Sequence, residues 1–197
     1  YPKNLFDLNF ISLLINTVLL VSLSSVALIV FSFISNYGNR IAKSKTLNFL
    51  TTISISGYAL PGIILAVAYI TFVAWFDETI INFFEIKSIK KIFIGSILGL
   101  VIAYFVRFYS LSCNGLKSSY EKLNKSVDES AYLAGYSKSK TFFKVHIPYL
   151  KSSIFFVFIL ISLEIIRELP ITLILRPFNF ETFATTAYIY ASQDLLE

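Results

Sequence analysis

Apolar positions along the chain gather into four long runs, Leu8 to Ile34, Leu47 to Phe76, Ile92 to Cys113 and Ser152 to Leu175, with shorter polar stretches between them. A helix needs roughly 20 mostly apolar residues to cross about 30 Å of hydrocarbon, and each run reaches or exceeds that length. Lipid offers no partner for an unpaired backbone N–H or C=O, so an open-ended crossing element has to be a helix. The pattern predicts an all-α, polytopic transmembrane helix bundle. The first run is too long for a signal-peptide core, lacks a basic segment before it and shows no small-residue cleavage site, so it is expected to remain as a span. Within it, Ser22, Ser24, Ser25 and Ala27 are expected to let helices approach closely.

The stretch between the third and fourth runs, Asn114 to Lys151, is long for a loop but carries helix punctuation, which predicts order. Ser126-Val127-Asp128-Glu129 fits a capping box, with Ala131, Leu133 and Ala134 continuing a short helix. Gly135 follows where a helix end wants a residue able to take positive φ. Ser137 can cap a second short helix presenting Phe142 and Val145 at i, i+3 spacing, until Pro148 forbids continuation. Two short helices joined at a glycine result. Their apolar residues have no lipid to face, so protein should cover them.

Charge sets the orientation. Asn36 to Thr46 carries Arg40, Lys43 and Lys45 without an acid, and Asn114 to Lys151 carries seven lysines against Glu121, Asp128 and Glu129. These two loops share a side if the runs alternate, and basic short loops stay cytoplasmic. Asp77 to Lys91, with Lys87, Lys90 and Lys91 matched by Asp77, Glu78 and Glu85, falls outside, together with the segment after Arg176. The net charge of +5 is the lysine bias that insertion and anionic headgroups favour. It does not suggest nucleic-acid binding, and membrane lipid is the expected surrounding.

Composition agrees with this plan. The chain is 56% hydrophobic and 15% charged, with a mean hydropathy of +0.71, against about 45–50% apolar and 25% charged in an ordinary soluble domain. A soluble bundle with four such runs would keep too little polar surface for water. One cysteine, Cys113, and one histidine, His146, exclude an internal disulfide and a His/Cys metal cluster, and both are read as structural. No low-complexity tract or linker divides residues 1–197, which read as one transmembrane domain with a cytoplasmic loop at about 114–151. The sequence has no Met, so a fragment of a longer product is expected, with more helices upstream, downstream or both.

Three charges fall inside the last run. Glu164, Arg167 and Glu168 sit at i, i+3 and i+4 and so share one helix face. Burial there costs at least about 2.5 kcal/mol per charge, so they need a partner or a water-filled cavity. Arg167 can pair with either carboxylate, and the group reads equally as lining a translocation path or gate and as a structural ion pair. Pro170 and Pro177 should break the outer end of this helix, and Pro61-Gly62 should kink the second. Arg107 is expected to snorkel to headgroups from near the inner end of its helix.

Glu129-Ser130-Ala131, three residues, Gly135, nine residues, then Val145-His146-Ile147-Pro148 resembles the EAA loop of inner-membrane permeases of binding-protein-dependent ABC transporters. Ser130, Val145 and Ile147 depart mildly from the usual residues. Arg167-Glu168-Leu169-Pro170, Thr172-Leu173, Leu175-Arg176-Pro177, Phe180-Glu181-Thr182 and Ala184-Thr185 resemble the stretch after that loop in ferric-iron-type permeases. Gly57-Tyr58-Ala59-Leu60-Pro61-Gly62 and Tyr104-Phe105-Val106-Arg107-Phe108 resemble the same group, so the similarity covers most of residues 57 to 192. Such permeases commonly carry two halves in one polypeptide. This chain is similar to the C-terminal half, with a last helix expected beyond Glu197.

The resemblance implies a MetI-like permease of a multi-pass protein in the bacterial inner membrane, importing most specifically ferric iron. It implies a cytoplasmic ABC ATPase dimer, an extracytoplasmic substrate-binding protein and a second permease half or copy as partners. It also implies that Asp128, Glu129, Ala131, Gly135, Val145, Ile147 and Pro148 belong to an ATPase-coupling loop, and that Glu164, Arg167, Glu168, Pro170 and Arg176 lie by the path or gate. No catalytic residue, metal site or cofactor is expected in the chain itself. It carries no Walker-type phosphate loop, so ATP belongs to the partner subunit. Thiamine, phosphonate or polyamine permeases share much of the pattern. From other classes, a channel or a membrane-embedded enzyme built on Glu164, Arg167 and Glu168 remains the rival.

Overall fold

A computed structural model describes residues 8–42, 45–83 and 92–193. The elements are α1 (Leu8–Ala42), α2 (Lys45–Ile55) running into a 3₁₀ turn (Ser56–Ala59), α3 (Gly62–Phe83), α4 (Ile97–Lys122), α5 (Lys125–Leu133), α6 (Lys138–Thr141), α7 (Ile147–Arg167), α8 (Pro170–Leu175) and α9 (Phe183–Ser192). No strand occurs among the described residues. Four stretches are long and apolar enough to cross a membrane: Phe10–Ile41, Gly62–Phe83, Ile97–Lys122 and Lys138–Arg167. The all-α transmembrane bundle expected from the hydrophobic pattern is therefore the fold.

Helix α4 lies at the centre, packed against α1 on one side and α7 and α8 on the others. Leu28, Leu100, Ala103, Tyr104, Phe108, Leu116 and Ile161 are fully buried there. Small polar residues bring the backbones together, as in other helix packings inside lipid. Ser112 donates to the Leu28 carbonyl at 3.1 Å, and the Ser25 and Ser162 hydroxyls meet at 3.2 Å. Ser24 and Ser25 are buried as expected, whereas Ser22 faces outward.

Several boundaries differ from the sequence reading, each for a local reason. Pro61 does more than kink the second run: the chain leaves the helix at Ser56, and the crossing element begins afresh at Gly62. A proline removes an N–H and clashes with the turn before it, so two helices form where one run was read. The crossing then extends past Phe76 to Phe83, which moves Asp77 from a surface loop into a helix. Asp77 is fully buried, and its carboxylate accepts the Phe93 N–H at 3.1 and 3.2 Å and the Ile94 N–H at 3.1 Å. That bond set holds residues 92–96 outside the helix, so α4 starts at Ile97, capped by Ser96, and not at Ile92. Its other end runs on through the expected loop start to Lys122. Residues 36–42, read as loop, continue α1. The charges at Lys43, Glu85, Lys87, Lys90 and Lys91 lie outside the described residues.

Candidate functional site

At the lysine-rich end of the bundle, the loop between α4 and α7 is folded as two short helices joined at Gly135. The cap of the first is Asn124, whose side chain accepts the Ser126 N–H, so the expected Ser126 capping box does not form. Asx side chains serve this role as well as serine does, and Asn124 lies two residues nearer the end of α4. At the other end, Gly135 takes φ +78°. Its N–H bonds the Tyr132 carbonyl and the Tyr136 N–H bonds the Ala131 carbonyl, both at 3.0 Å. This paired closure of a helix end requires the left-handed residue that glycine supplies. Ser137 caps α6 as expected, accepting the Lys140 N–H.

Pro148 does not end the second helix. The backbone passes from α6 through a π turn at Phe142–His146 and straight into α7. The wider turn lies just before Pro148, which has no N–H to offer, and such π turns occur mostly as single-turn bulges inside α-helices. The span thus runs unbroken over Lys138–Arg167.

Asp128 is the junction of this loop with the bundle. Its Oδ2 accepts from Arg40 Nε at 2.7 Å, and its Oδ1 lies 2.7 Å from His146 Nε2. Arg40 also donates to the carbonyls of Tyr120 and Leu123 from Nη1, and of Asn124 from Nη2. It therefore closes the carbonyl end of α4 while gripping α5. His146 is fully buried, with Tyr37 and Tyr120 rings against it. Ala131 is buried against the bundle, and Val145 and Ile147 are half-buried, whereas Glu129, Gly135 and Pro148 are exposed. On the outer side Leu133 is 90% exposed and Phe143 64% exposed. Neither is in the hydrocarbon if the lysines mark the membrane boundary.

A second cluster lies deeper. Arg107 is ten residues into α4, roughly 15 Å from its start, well away from either headgroup layer. It does not snorkel: Nε reaches Glu168 Oε2 at 3.2 Å and Nη1 donates to the Leu60 carbonyl at 2.6 Å. Glu168 is the cap of α7, at the break before Pro170 opens α8. Leu60 sits at the break before α3. One arginine thus satisfies the polar groups freed at two interrupted helices. Thr172 returns its hydroxyl to the Glu168 carbonyl and meets the Tyr104 hydroxyl. Glycines make the convergence possible: a Cβ on Gly57 would stand 2.2 Å from the Val106 carbonyl oxygen, and one on Gly62 would stand 2.8 Å from Glu168 Oε1.

The three charges expected to act together separate. Glu168 is buried and pairs with Arg107, while Glu164 is half-buried and Arg167 exposed. Neither of the latter two makes an ion pair among the described residues. Arg176 pairs with Glu181 across the turn between α8 and α9. Burial alone would raise the Glu181 carboxyl, but hydrogen bonds from Arg176 and Thr185 and the Arg176 charge hold it below its ordinary value. Sequence reasoning missed Arg40, Tyr104 and Thr172 as site residues. It misread Arg107, although an arginine inside an apolar run is itself a signal for a buried partner.

Residues from three of the stretches that carried the resemblance, Leu60, Tyr104, Arg107, Glu168 and Thr172 among them, meet at this deeper cluster, and the loop of the fourth is docked on Arg40. A comparison with curated proteins gives no match. The family described as the binding-protein-dependent transport system inner membrane component matches residues 29–192, a stretch that includes both clusters, the broken helices around Arg107 and the π turn. The chain belongs to this family of ABC-importer permease subunits.

Proposed function

We propose that this permease imports ferric iron across the bacterial inner membrane, with the loop over residues 114–151 as the cytoplasmic seat of an ABC ATPase dimer. The observation that carries the loop assignment is Leu133. A leucine 90% exposed, beyond the lipid, on a turn whose backbone is held by the Gly135 closure, is a knob that only protein can cover. Tyr132 and Phe143 are further exposed apolar side chains of the same loop. Asp128, Ala131, Val145 and Ile147 seat the loop on the bundle, Glu129 and Gly135 shape its outer surface, and Pro148 sets the π turn beneath it.

The path or gate on the opposite half is formed by Glu164, Arg167, Glu168, Pro170 and Arg176, facing a second permease half or copy. Residues 57–192 then correspond to the C-terminal half of a ferric-iron-type permease, fed by an extracytoplasmic binding protein. The iron assignment rests on the resemblance around residues 167–185.

Replacing Gly135 by valine tests the loop. A β-branched residue is strained at φ +78°, so transport is expected to vanish while membrane insertion persists; unchanged uptake would remove the loop from the mechanism. Uptake of labelled ferric iron against labelled thiamine, phosphonate and polyamine tests the cargo, and uptake of one of the other three alone would reassign it.

A further inference from the structure

Helix α1 is bonded at both ends to parts that the proposed mechanism needs to move together. At the lysine-rich end Arg40 grips Asp128 of α5 and three carbonyls at the α4–α5 junction. At the far end the Asn16 amide donates to the Glu181 carbonyl at 3.1 Å, and the Phe183 N–H donates to the Thr17 hydroxyl at 3.2 Å. The Phe10 ring packs on Phe183, with centroids 5.6 Å apart. These far-end contacts hold the turn that carries Arg176, Pro177 and the Arg176–Glu181 pair.

Between the two anchor points the helix is continuous. The 35 residues of α1 contain no proline and a single glycine, Gly38, close to the Arg40 end, and sharp kinks need such a cause. Thr17 to Arg40 is 23 residues, about 35 Å of helix, enough to cross the hydrocarbon. The middle is held by Ser25 against Ser162 of α7 and by Ser112 of α4 against Leu28.

We propose that α1 is a transmission rod: Arg40 and Asp128 fix the coupling loop to one end, and Asn16 and Thr17 fix the α8–α9 turn to the other, so that loop movement displaces the far-side gate through α1 as well as through α7. This rests on the reading of the loop as the ATPase seat. Arg40 and Thr17 are positioning residues; neither touches the cargo.

The test uses the assembled complex in vesicles, with transport and ATP hydrolysis measured together. Thr17→Val should leave the ATPase attached and hydrolysing, and Arg40→Gln should uncouple transport from the hydrolysis it retains. Cargo moved per ATP should fall roughly tenfold, within the usual range of coupling between distant sites. Thr17→Ser, which keeps the hydroxyl that accepts the Phe183 N–H, should restore the ratio. A wild-type ratio in both Arg40→Gln and Thr17→Val would overturn the rod, and so would a parallel loss of hydrolysis and transport, which marks a merely structural contact. Failure of the unaltered chain to hold an ATPase would overturn the loop assignment itself, an outcome read separately by co-purification.

Discussion

Arg107 and Glu168 are charges that hydrocarbon would reject singly, and their pairing decides what the deeper cluster tolerates. Removing one partner of a buried pair strands the other charge and costs about 3–5 kcal/mol, whereas replacing both by apolar residues of similar volume is often close to neutral. Arg107→Met and Glu168→Leu are therefore each expected to lower the melting temperature of the purified permease sharply, with the double variant recovering most of the loss. The double variant is also expected to insert normally and fail in transport. Normal transport by it would reduce the pair to a packing device.

Glu181 supplies a pH dependence at the same scale. Its carboxyl lies below the ordinary range in the folded chain because Arg176 and Thr185 hold the charged form more strongly than burial opposes it. A folded-state value below the unfolded one contributes stability above the unfolded carboxyl range, and that contribution is lost as pH falls through the depressed value. Thermal stability should thus drop on acidification by more in the unaltered chain than in Glu181→Gln. Equal slopes would show that the pair with Arg176 adds nothing to the turn. The sequence shows Arg176 and Glu181 five residues apart, but the tight turn between them, with Asn179 at φ 60°, comes from the bond between the Phe180 N–H and the Pro177 carbonyl.

At the scale of elements, what could be read from the chain was whatever is decided locally. Gly135 at a helix end, Ser137 as a cap and Pro170 as a breaker depend on neighbours within a few residues, and all three stand as expected. What could not be read depends on distant partners: Asp77 needs Phe93 and Ile94, and Arg107 needs Leu60 and Glu168. The cap of α5 is an instructive middle case, since Asn124 and Ser126 are both good capping residues two positions apart. The end of α4 decides between them, because Arg40 holds the carbonyls of Leu123 and Asn124 and brings the chain into register two residues early. Asn124→Ala is expected to cost about 1 kcal/mol of stability in a thermal or denaturant melt, and Ser126→Ala only a few tenths. The reverse order would return the cap to Ser126.

On the scale of the molecule, the same helix packing that buries α4 exports two side chains to opposite extremes. Leu133 is 90% exposed beside the lysine-rich end, and Phe178 is 95% exposed at the tip of the α8–α9 turn. Their separation across the bilayer follows from α1. That turn is bonded to Thr17, and Thr17 lies 20 residues, or about 30 Å, from Tyr37, whose hydroxyl donates to the Lys138 carbonyl beside the loop. The two tips therefore stand on opposite sides of the hydrocarbon. The basic residues around the Leu133 end are the kind of charge that short cytoplasmic loops carry. Cys113 is buried, so a membrane-impermeant maleimide should find little to label in the unaltered chain. In right-side-out vesicles it should modify Phe178→Cys at once and Leu133→Cys only after permeabilisation. In the assembled importer, Leu133→Cys should stay protected even then if the proposed ATPase seat covers it. Labelling in the opposite order would put the loop outside, where no ATP-driven partner could reach it.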